Sequence, residues 1–188
     1  EASIKLGFRS NTGDSEGVIV DLNVQHFPAL KEIKETLKQF SGMQEQTPPM
    51  YSALKFKGKP LYEYARKGEE IERKKRSINI VSLDLIDYSD NVLKITVECS
   101  KGTYIRTLAS DIGDKLNTGG YLIALRRTAI GSVNVEQAKT LDMIEASDKE
   151  ARDALIFPID EFLNYLDDIS LVPSAEEAIK DGKTLLFK

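Results

Sequence analysis

The chain has 188 residues, 41% hydrophobic and 30% charged, with a net charge of −4, which is the composition of an ordinary globular protein. This length allows one good core, or one domain with part of a second. No run approaches the roughly 18 apolar residues of a membrane span, and no secretory signal opens the sequence, so we expect a cytoplasmic protein without a membrane partner. The single cysteine, Cys99, excludes an internal disulfide and a multi-cysteine metal site, and the single histidine, His26, argues against a histidine metal centre.

The first quarter of the chain predicts two short strands and a helix. "SIKLGF" alternates apolar and polar residues as a strand does, "RSNTGDSEG" is typical of a loop, and "VIVDL" predicts a second strand. After Pro28, apolar residues recur at helical spacing, which predicts one amphipathic helix carrying Leu30, Ile33, Leu37 and Phe40.

A basic segment follows this helix. Pro48 and Pro49 enforce extended backbone and end the helical pattern. Lys55 to Arg76 then holds nine Lys or Arg residues against four Glu. Within it, Pro60 to Gly68 predicts a short helix. A charge run is usually a solvated face, and we keep that interpretation open for the far end, "ERKKR".

A hairpin and a helix are the strongest structural signals. "SINIVSLDLIDY" and "NVLKITVECS", joined by "SDN", predict two antiparallel strands. Thr103 is a plausible N-cap for the next helix, which Gly119 and Gly120 end. Its apolar stripe is Ile105, Leu108, Ala109, Ile112 and Leu116.

The remainder of the chain completes an α+β pattern. "YLIALRRTAIGSVNV" predicts further strand, and short acidic helices follow it. Thirteen Asp or Glu residues stand against four Lys or Arg between residues 134 and 182. We therefore expect an α+β fold in which helices lie against an antiparallel sheet.

The junction "KGTYIR" between the second hairpin strand and the helix is the candidate for chemistry. Tyr104 and Arg106 fall in the first helical turn on either side of the Ile105 stripe, and Gly102 allows positive φ. The helix N-terminus favours an anion, so we expect a carboxylate or phosphate near these residues. The alternative is a capped helix with an amphipathic tyrosine on its shoulder.

Four stretches in this order carry a family resemblance. "LGFRSNTGDSEG", "QTPPMYSALKFKGKPLYEYARKG", "CSKGTYIRTLASDIG" and "LIALRRTAIG" resemble the bacterial tRNA pseudouridine synthase B (TruB) family over about three quarters of the chain, to Asp142. The resemblance implies a mixed, largely antiparallel pseudouridine-synthase sheet with flanking helices and an inserted RNA-binding thumb at about 46–76. It further implies the C-terminal part of the catalytic domain over 1–145, linking helices over 146–168 and the beginning of a PUA-like domain over 169–188.

The resemblance also implies an activity and roles for individual residues. The family isomerises the T-arm uridine of tRNA, position 55, to pseudouridine by base flipping, without cofactor or metal, and a monomer bound to the T-arm stem-loop is expected. Tyr104 would stack on the flipped uracil, Arg106 would pair with the nucleophilic aspartate, and Leu125 would contact the base. Asp14 would be a supporting active-site carboxylate, although from local sequence alone it fits a turn-stabilising residue. The implied phosphate contacts are Lys55, Lys59, Arg66, Lys101 and Arg126.

One departure from the family limits the expected activity. The nucleophile motif, resembling Gly-His-Thr-Gly-Thr-Leu-Asp-Pro, does not occur among these residues. We therefore expect an N-terminally truncated synthase with an incomplete PUA domain, inactive by itself. Two alternatives remain: a non-catalytic RNA-binding module that keeps the thumb, or a protein-interaction domain that uses the acidic C-terminal part.

Overall fold

The computed structural model describes residues 1–163, 166–167 and 170–184. The chain divides into two compact units, Glu1–Arg127 and Thr128–Lys188. The predicted domain boundary at residue 145 stays a prediction. Parts of the predicted linking and PUA-like segments, residues 164–165, 168–169 and 185–188, lie outside the described residues.

The first unit is built on one antiparallel sheet. Its elements are β1 (Ala2–Leu6), β2 (Phe8–Ser10), β3 (Ile19–Asp21), α1 (Leu30–Lys38), β4 (Gly42–Gln46), β5 (Lys55–Phe56), β6 (Lys59–Pro60), α2 (Leu61–Arg66), β7 (Arg76–Ser89), β8 (Val92–Cys99), α3 (Ile105–Lys115) and β9 (Gly120–Leu125). Five of the strands form the sheet in the order β4-β7-β8-β1-β9, and every neighbouring pair is antiparallel. The helix-and-sheet composition confirms the predicted α+β class.

The core lies where α1 and α3 cover one face of this sheet. Ile4 of β1 pairs with Leu93 of β8 on one side and with Leu122 of β9 on the other. The same core cluster holds Ile33 of α1 and Ile112 of α3, both fully buried. Alternation in the strands and helical spacing in α3 therefore predicted the buried faces correctly.

The β7–β8 hairpin is the predicted one, and β4 is an element that the sequence did not predict. Asp90 and Asn91 connect β7 to β8 with φ of +50° and +59°, as a two-residue hairpin turn requires. In β4, Met43 is 72% exposed and Gln46 is 4% exposed. Because β4 carries few apolar residues on its inward face, it lacks the alternation that marks a strand, and only its pairing with β7 defines it.

The second unit consists of a short hairpin and short helices. These are β10 (Ala129–Ile130), β11 (Val133–Asn134), α4 (Leu141–Ala146), α5 (Lys149–Asp153), a 3₁₀ turn (Ile159–Phe162) and α6 (Pro173–Lys180). The Thr140 hydroxyl accepts from the Met143 N–H, and the Asp148 carboxylate accepts from the Ala151 N–H, so both α4 and α5 are capped. Within the described part of the chain, no helix is both long and apolar enough to cross a membrane.

Candidate active site

Arg106, in the first turn of α3, joins two loops that are far apart in sequence. Its Nη1 donates to Asp14 Oδ2 at 2.9 Å and to the Thr12 carbonyl at 3.2 Å, while Nη2 donates to the Tyr51 carbonyl at 2.6 Å. The Arg106 and Asp14 side chains are 25% and 24% exposed, so the pair is partly shielded from water. The Arg106 guanidinium therefore fixes two backbone segments to α3: the loop after β2 and the stretch around Tyr51 that leads into the basic segment.

Asp14 divides its two carboxylate oxygens between a turn and this arginine. Oδ1 accepts from the Thr12 hydroxyl at 2.6 Å and from the Glu16 N–H at 3.2 Å, and Oδ2 accepts from Arg106. Burial raises the pKa of Asp14, but the bonds from Thr12 and Glu16 and the positive charge of Arg106 outweigh burial, so its pKa lies below the ordinary value. Asp14 therefore stabilises its turn through Oδ1, as the local sequence indicated, while Oδ2 binds Arg106.

Gly13 lets the Asp14 loop approach α3 closely. Its φ is +80°, and a Cβ at this position would lie 3.2 Å from the Arg106 Cβ. The Gly13 carbonyl accepts from the Leu122 N–H at 3.0 Å, which ties the loop to β9. The carboxylate is therefore held between α3 and β9 by the backbone on both sides.

Tyr104 is the N-cap residue of α3, which corrects the prediction that Thr103 caps this helix and that Tyr104 lies within its first turn. Tyr104 is extended, with φ −96° and ψ 109°, and within the described part of the chain its side chain makes no capping bond to the helix. The Thr103 hydroxyl instead donates to the Ser100 carbonyl at 2.9 Å, closing the turn before the helix. Thr103 was predicted from residue type alone, and this local bond is the competing use of its hydroxyl.

Gln46 contacts Tyr104 and was missed by sequence reasoning. Its Oε1 accepts from the Tyr104 N–H at 2.8 Å, and its Nε2 donates to the Tyr104 carbonyl at 3.1 Å. The two residues are 58 positions apart. A polar residue beside a double proline gives no signal of this contact, because only the sheet register of β4 brings it there.

The basic residues predicted to contact RNA on the inserted segment lie on a small hairpin and on the helix that follows it. Lys55 and Lys59 lie exposed on β5 and β6, either side of a turn in which Gly58 has φ +82°. Arg66, exposed on α2, stacks over the Tyr62 ring at 5.3 Å from its centroid. The hairpin and α2 thus present cations together with aromatic faces.

Arg73, in the stretch "ERKKR", connects the end of the basic segment to the double proline that precedes the segment. Arg73 donates to the Pro48 carbonyl at 3.1 Å and to the Ile71 carbonyl at 3.2 Å, and its side chain is 21% exposed. The solvated-face interpretation is therefore wrong for Arg73. Its neighbours Lys74 and Lys75 are exposed, as that interpretation expected.

The other predicted residues lie elsewhere on the first unit. Lys101 is exposed in the turn before Tyr104. Leu125, 55% exposed, ends β9 opposite Ala2, and Arg126 follows it, with its N–H donating to the Glu1 carbonyl. The hydrogen bonds therefore join Asp14 to Arg106, which follows Tyr104 closely in the chain. Leu125 lies three residues further along β9 than Leu122, the residue that contacts the Asp14 loop.

The described residues offer no group of three His, Cys, Asp or Glu side chains placed to hold a metal ion. The Asp14–Arg106 pair presents a partly shielded guanidinium and carboxylate, and the aromatic residue Tyr104 lies two positions before Arg106 in the chain. Such an arrangement can hold a second anionic group and a planar ligand.

Comparison with known families assigns the chain. The family model described as TruB family pseudouridylate synthase (N terminal domain) matches residues 1–105, and the model described as tRNA pseudouridylate synthase B C-terminal domain matches residues 106–164. The chain belongs to the TruB family. The resemblance predicted from four sequence stretches is thereby confirmed.

Individual TruB proteins are similar along nearly all of the chain. The tRNA pseudouridine synthase B of Azoarcus sp. (strain BH72) is 47% identical over 187 residues, covering 98% of this chain and 61% of the relative. That of Aromatoleum aromaticum is 45% identical, covering 98% of this chain and 60% of the relative. The chain therefore spans about three fifths of the length of these relatives.

Solved structures agree on the fold. A chain in the crystal structure of a Cbf5-Nop10-Gar1 complex matches with a TM-score of 0.69 at 22% identity, covering 96% of this chain and 47% of that one. An H/ACA RNP bound to a substrate RNA containing 2'-deoxyuridine matches with a TM-score of 0.51 at 18% identity, covering 81% and 37%. At these identities the likeness concerns the fold, and it confirms the predicted pseudouridine-synthase sheet of this TruB chain.

Proposed function

We propose that the protein is a tRNA pseudouridine synthase that isomerises the T-arm uridine, position 55, after flipping it out of the RNA. The observation that carries this proposal is the Asp14–Arg106 pair, whose arginine follows Tyr104 by two residues, in a chain whose sequence belongs to the TruB family. Isomerisation replaces the N1–C1′ bond of the uridine by a C5–C1′ bond and releases the C5 proton.

Arg106 has donors for a second carboxylate. A guanidinium carries five N–H donors, and three of the Arg106 donors are bonded to Asp14, Thr12 and Tyr51 within the part of the chain that the structure describes. The other two can bind the nucleophilic aspartate that the family motif supplies, keeping that carboxylate ionised. Asp14 and the two carbonyls would hold the guanidinium in place while it does so.

Tyr104 supplies the flat surface that a flipped base needs. Stacking on an aromatic ring offsets the stacking lost in the RNA. Its position directly before Ile105 and Arg106 would place the base next to the guanidinium, and Leu125 is proposed to contact the opposite face of the base.

The basic residues would hold the tRNA backbone. Lys55, Lys59 and Arg66 lie exposed on the inserted hairpin and α2. Lys101 lies exposed in the turn before Tyr104, and Arg126 lies exposed after the end of β9. A concentrated set of cations on a chain of net charge −4 is favourable for a polyanion and unnecessary for folding. The acidic C-terminal part carries no comparable set.

The nucleophile motif is absent from these 188 residues. We therefore propose that this stretch binds RNA but does not turn it over by itself. This same absence is what favours the second candidate function, a non-catalytic RNA-binding module.

Tritium release from [5-³H]uridine-labelled tRNA transcript tests both candidates. The full-length protein and residues 1–188 are assayed side by side, with a transcript carrying cytidine at position 55 as control. The synthase proposal predicts release by the full-length protein from the uridine transcript only, and tRNA binding without release by residues 1–188. Binding without release by the full-length protein would favour the RNA-binding module, and equal release from the cytidine control would contradict the position-55 target.

A further inference from the structure

Gln46 makes two hydrogen bonds to the backbone of a single residue, Tyr104. The Tyr104 N–H donates to Oε1 at 2.8 Å and Nε2 donates to the Tyr104 carbonyl at 3.1 Å. The Gln46 residue is 4% exposed, so both bonds are shielded from water. We propose that Gln46 is a positioning residue that fixes the backbone of Tyr104 and thereby aims its ring at the substrate base; the role of the ring rests on the proposed function.

The hydrogen bonds from Gln46 act on a backbone that lies between a turn and a helix. On the N-terminal side of Tyr104, the Thr103 hydroxyl donates to the Ser100 carbonyl at 2.9 Å, and Gly102 within this turn has φ +84°. On the other side, the Tyr104 carbonyl accepts from the Leu108 N–H at 3.0 Å, the first bond of α3. Gln46 adds a partner for the Tyr104 N–H and a second bond to the carbonyl. Fixing φ and ψ of a residue fixes the direction of its Cα–Cβ bond, and so the origin of the ring.

The strand that carries Gln46 is itself well anchored. Gln46 ends β4 opposite Arg76 of β7, at the two points where the basic segment leaves and rejoins the sheet. β7 also holds the segment before Tyr104, since the Ser100 N–H donates to the Asn79 carbonyl at 2.8 Å and the Asn79 N–H donates to Ser100 Oγ at 2.9 Å. The strand pair that supports the basic segment thus also fixes Tyr104.

A glutamine fits this place for a chemical reason. Its planar head carries one acceptor and two donors, and here the acceptor and one donor face the N–H and C=O of one residue. An ionised glutamate of the same shape keeps the bond to the N–H but faces the carbonyl with a second acceptor. A protonated glutamate can donate to the carbonyl again. Leucine makes neither bond and leaves a shielded N–H without its partner.

The test compares Gln46→Glu and Gln46→Leu with Gln44→Glu in the full-length protein. Gln44 lies two residues earlier on the same face of β4, and its Nε2 donates to the Phe40 carbonyl, so it undergoes the same chemical change without touching Tyr104. The first readout is amide hydrogen exchange at Tyr104, followed by NMR on ¹⁵N-tyrosine-labelled protein. We expect exchange at least about tenfold faster in Gln46→Leu, and unchanged exchange in Gln44→Glu.

The second readout is the single-turnover rate of tritium release against pH. At pH 8 the rate of Gln46→Glu should fall at least about tenfold while its affinity for tRNA changes less than about threefold, because misplacement affects the reaction more than phosphate contacts. Burial raises the pKa of the introduced carboxyl, and the protonated form that can donate exists below that pKa. The rate relative to the wild-type protein should therefore rise as the pH falls, and no such recovery is expected for Gln46→Leu.

The outcomes separate this inference from the proposed function. An equal loss of rate in Gln44→Glu, a pH-independent ratio for Gln46→Glu, or unchanged Tyr104 exchange in Gln46→Leu each overturns the inference. If the wild-type protein releases no tritium, the proposed function fails, and the exchange measurement alone decides: faster exchange in Gln46→Leu supports the positioning role and unchanged exchange overturns it.

Discussion

The Asp14–Arg106 pair is the connection on which the geometry of the candidate site depends. Each partner is about one quarter exposed, and each also bonds to neighbouring groups, Asp14 to its own turn and Arg106 to two carbonyls. An isolated surface pair contributes little because solvent and salt screen it. The Asp14 and Arg106 side chains are already held by other hydrogen bonds, so they lose less conformational freedom on pairing than an isolated surface pair does. Removing one of them should therefore lower the free energy of unfolding measurably.

We expect Asp14→Asn to lower the free energy of unfolding by about 1.5 kcal/mol at pH 7, as is typical of hydrogen bonds to charged groups. Because the pKa of Asp14 is lowered by folding, its contribution is present above the unfolded carboxyl pKa of about 4 and is lost as the pH falls through the folded value. Urea unfolding of both proteins at pH 7 and pH 3 measures this. The difference between them should shrink at pH 3, and a constant difference would contradict the assignment.

The matched control is Asp87→Asn. Asp87 lies 3.7 Å from Lys94 with both side chains about half exposed. We expect its effect on the free energy of unfolding to stay within about 0.5 kcal/mol, the range for exposed pairs.

Gly13→Ala tests the close approach of the Asp14 loop to α3. The substitution combines a strained φ of +80° with a Cβ that meets Arg106 at 3.2 Å. Gly58→Ala is the matched control, since Gly58 has φ +82° and open space around it. Both should lose about 1–2 kcal/mol of unfolding free energy from the backbone alone, and Gly13→Ala should lose more. Equal losses in urea unfolding would show that the loop has room to move.

The packing of α3 on β9 depends on glycine. A Cβ on Gly113 would lie 2.2 Å from the Gly119 carbonyl carbon and 2.3 Å from the Gly120 nitrogen, so helix and strand backbone touch directly. This approach holds the C-terminal turn of α3 against the start of β9. Alanine is ordinarily the better helix former by about 1 kcal/mol, which makes the substitution informative.

We therefore expect Gly113→Ala to destabilise the protein by roughly 3 kcal/mol, at the upper end of the usual range for overpacking, because the opposing atoms are backbone. Lys115→Ala, at an exposed position of the same helix, should change the unfolding free energy by less than about 0.5 kcal/mol. Thermal unfolding of both variants measures the difference. A stabilised Gly113→Ala variant would contradict the contact.

Elements with a strong period could be predicted, and elements defined by a partner could not. The stripe of α3 and the alternation of β8 predicted their buried faces because a single element determines them. The strand β4 and the bond from Gln46 to Tyr104 depend on pairing with β7, which lies 30 or more residues away along the chain. For the same reason the sequence could place Asp14 and Arg106 in a site only through the family resemblance, and it assigned the cap of α3 to Thr103 instead of Tyr104.

The distribution of charge along the chain supports the proposed RNA partner despite the net charge of −4. The cations from Lys55 to Arg66 lie on a hairpin and a short helix inserted between β4 and β7, and those from Arg73 to Arg76 lie where the chain returns to the sheet. The net charge of the whole chain hides this concentration of cations, which is visible only when the charge is counted segment by segment. The position of Arg73 at the base of the segment shows that sequence alone does not separate binding cations from structural ones.

The double substitution Lys55→Gln and Lys59→Gln should weaken binding to a T-arm stem-loop and make it less dependent on salt. Each lost phosphate contact reduces the slope of log affinity against log salt by about 0.7–0.9. Lys34→Gln with Lys38→Gln, exposed on α1, is the control and should leave the slope unchanged. Fluorescence anisotropy between 50 and 300 mM salt, in roughly even steps, provides the measurement. A slope unaltered by the hairpin substitutions would exclude them as phosphate contacts.

The proposed location of the reaction is tested most directly by single-turnover tritium release at saturating tRNA, with the full-length protein carrying Tyr104→Leu. If Tyr104 lies where the uridine reacts, the rate should fall at least about a hundredfold, since the aromatic surface that holds the flipped base in place is removed. Affinity for the tRNA should change by less than about threefold, since the proposed phosphate contacts are made by other residues. A Tyr104→Leu protein that releases tritium at the wild-type rate would contradict the placement of the reaction at Tyr104, Arg106 and Asp14.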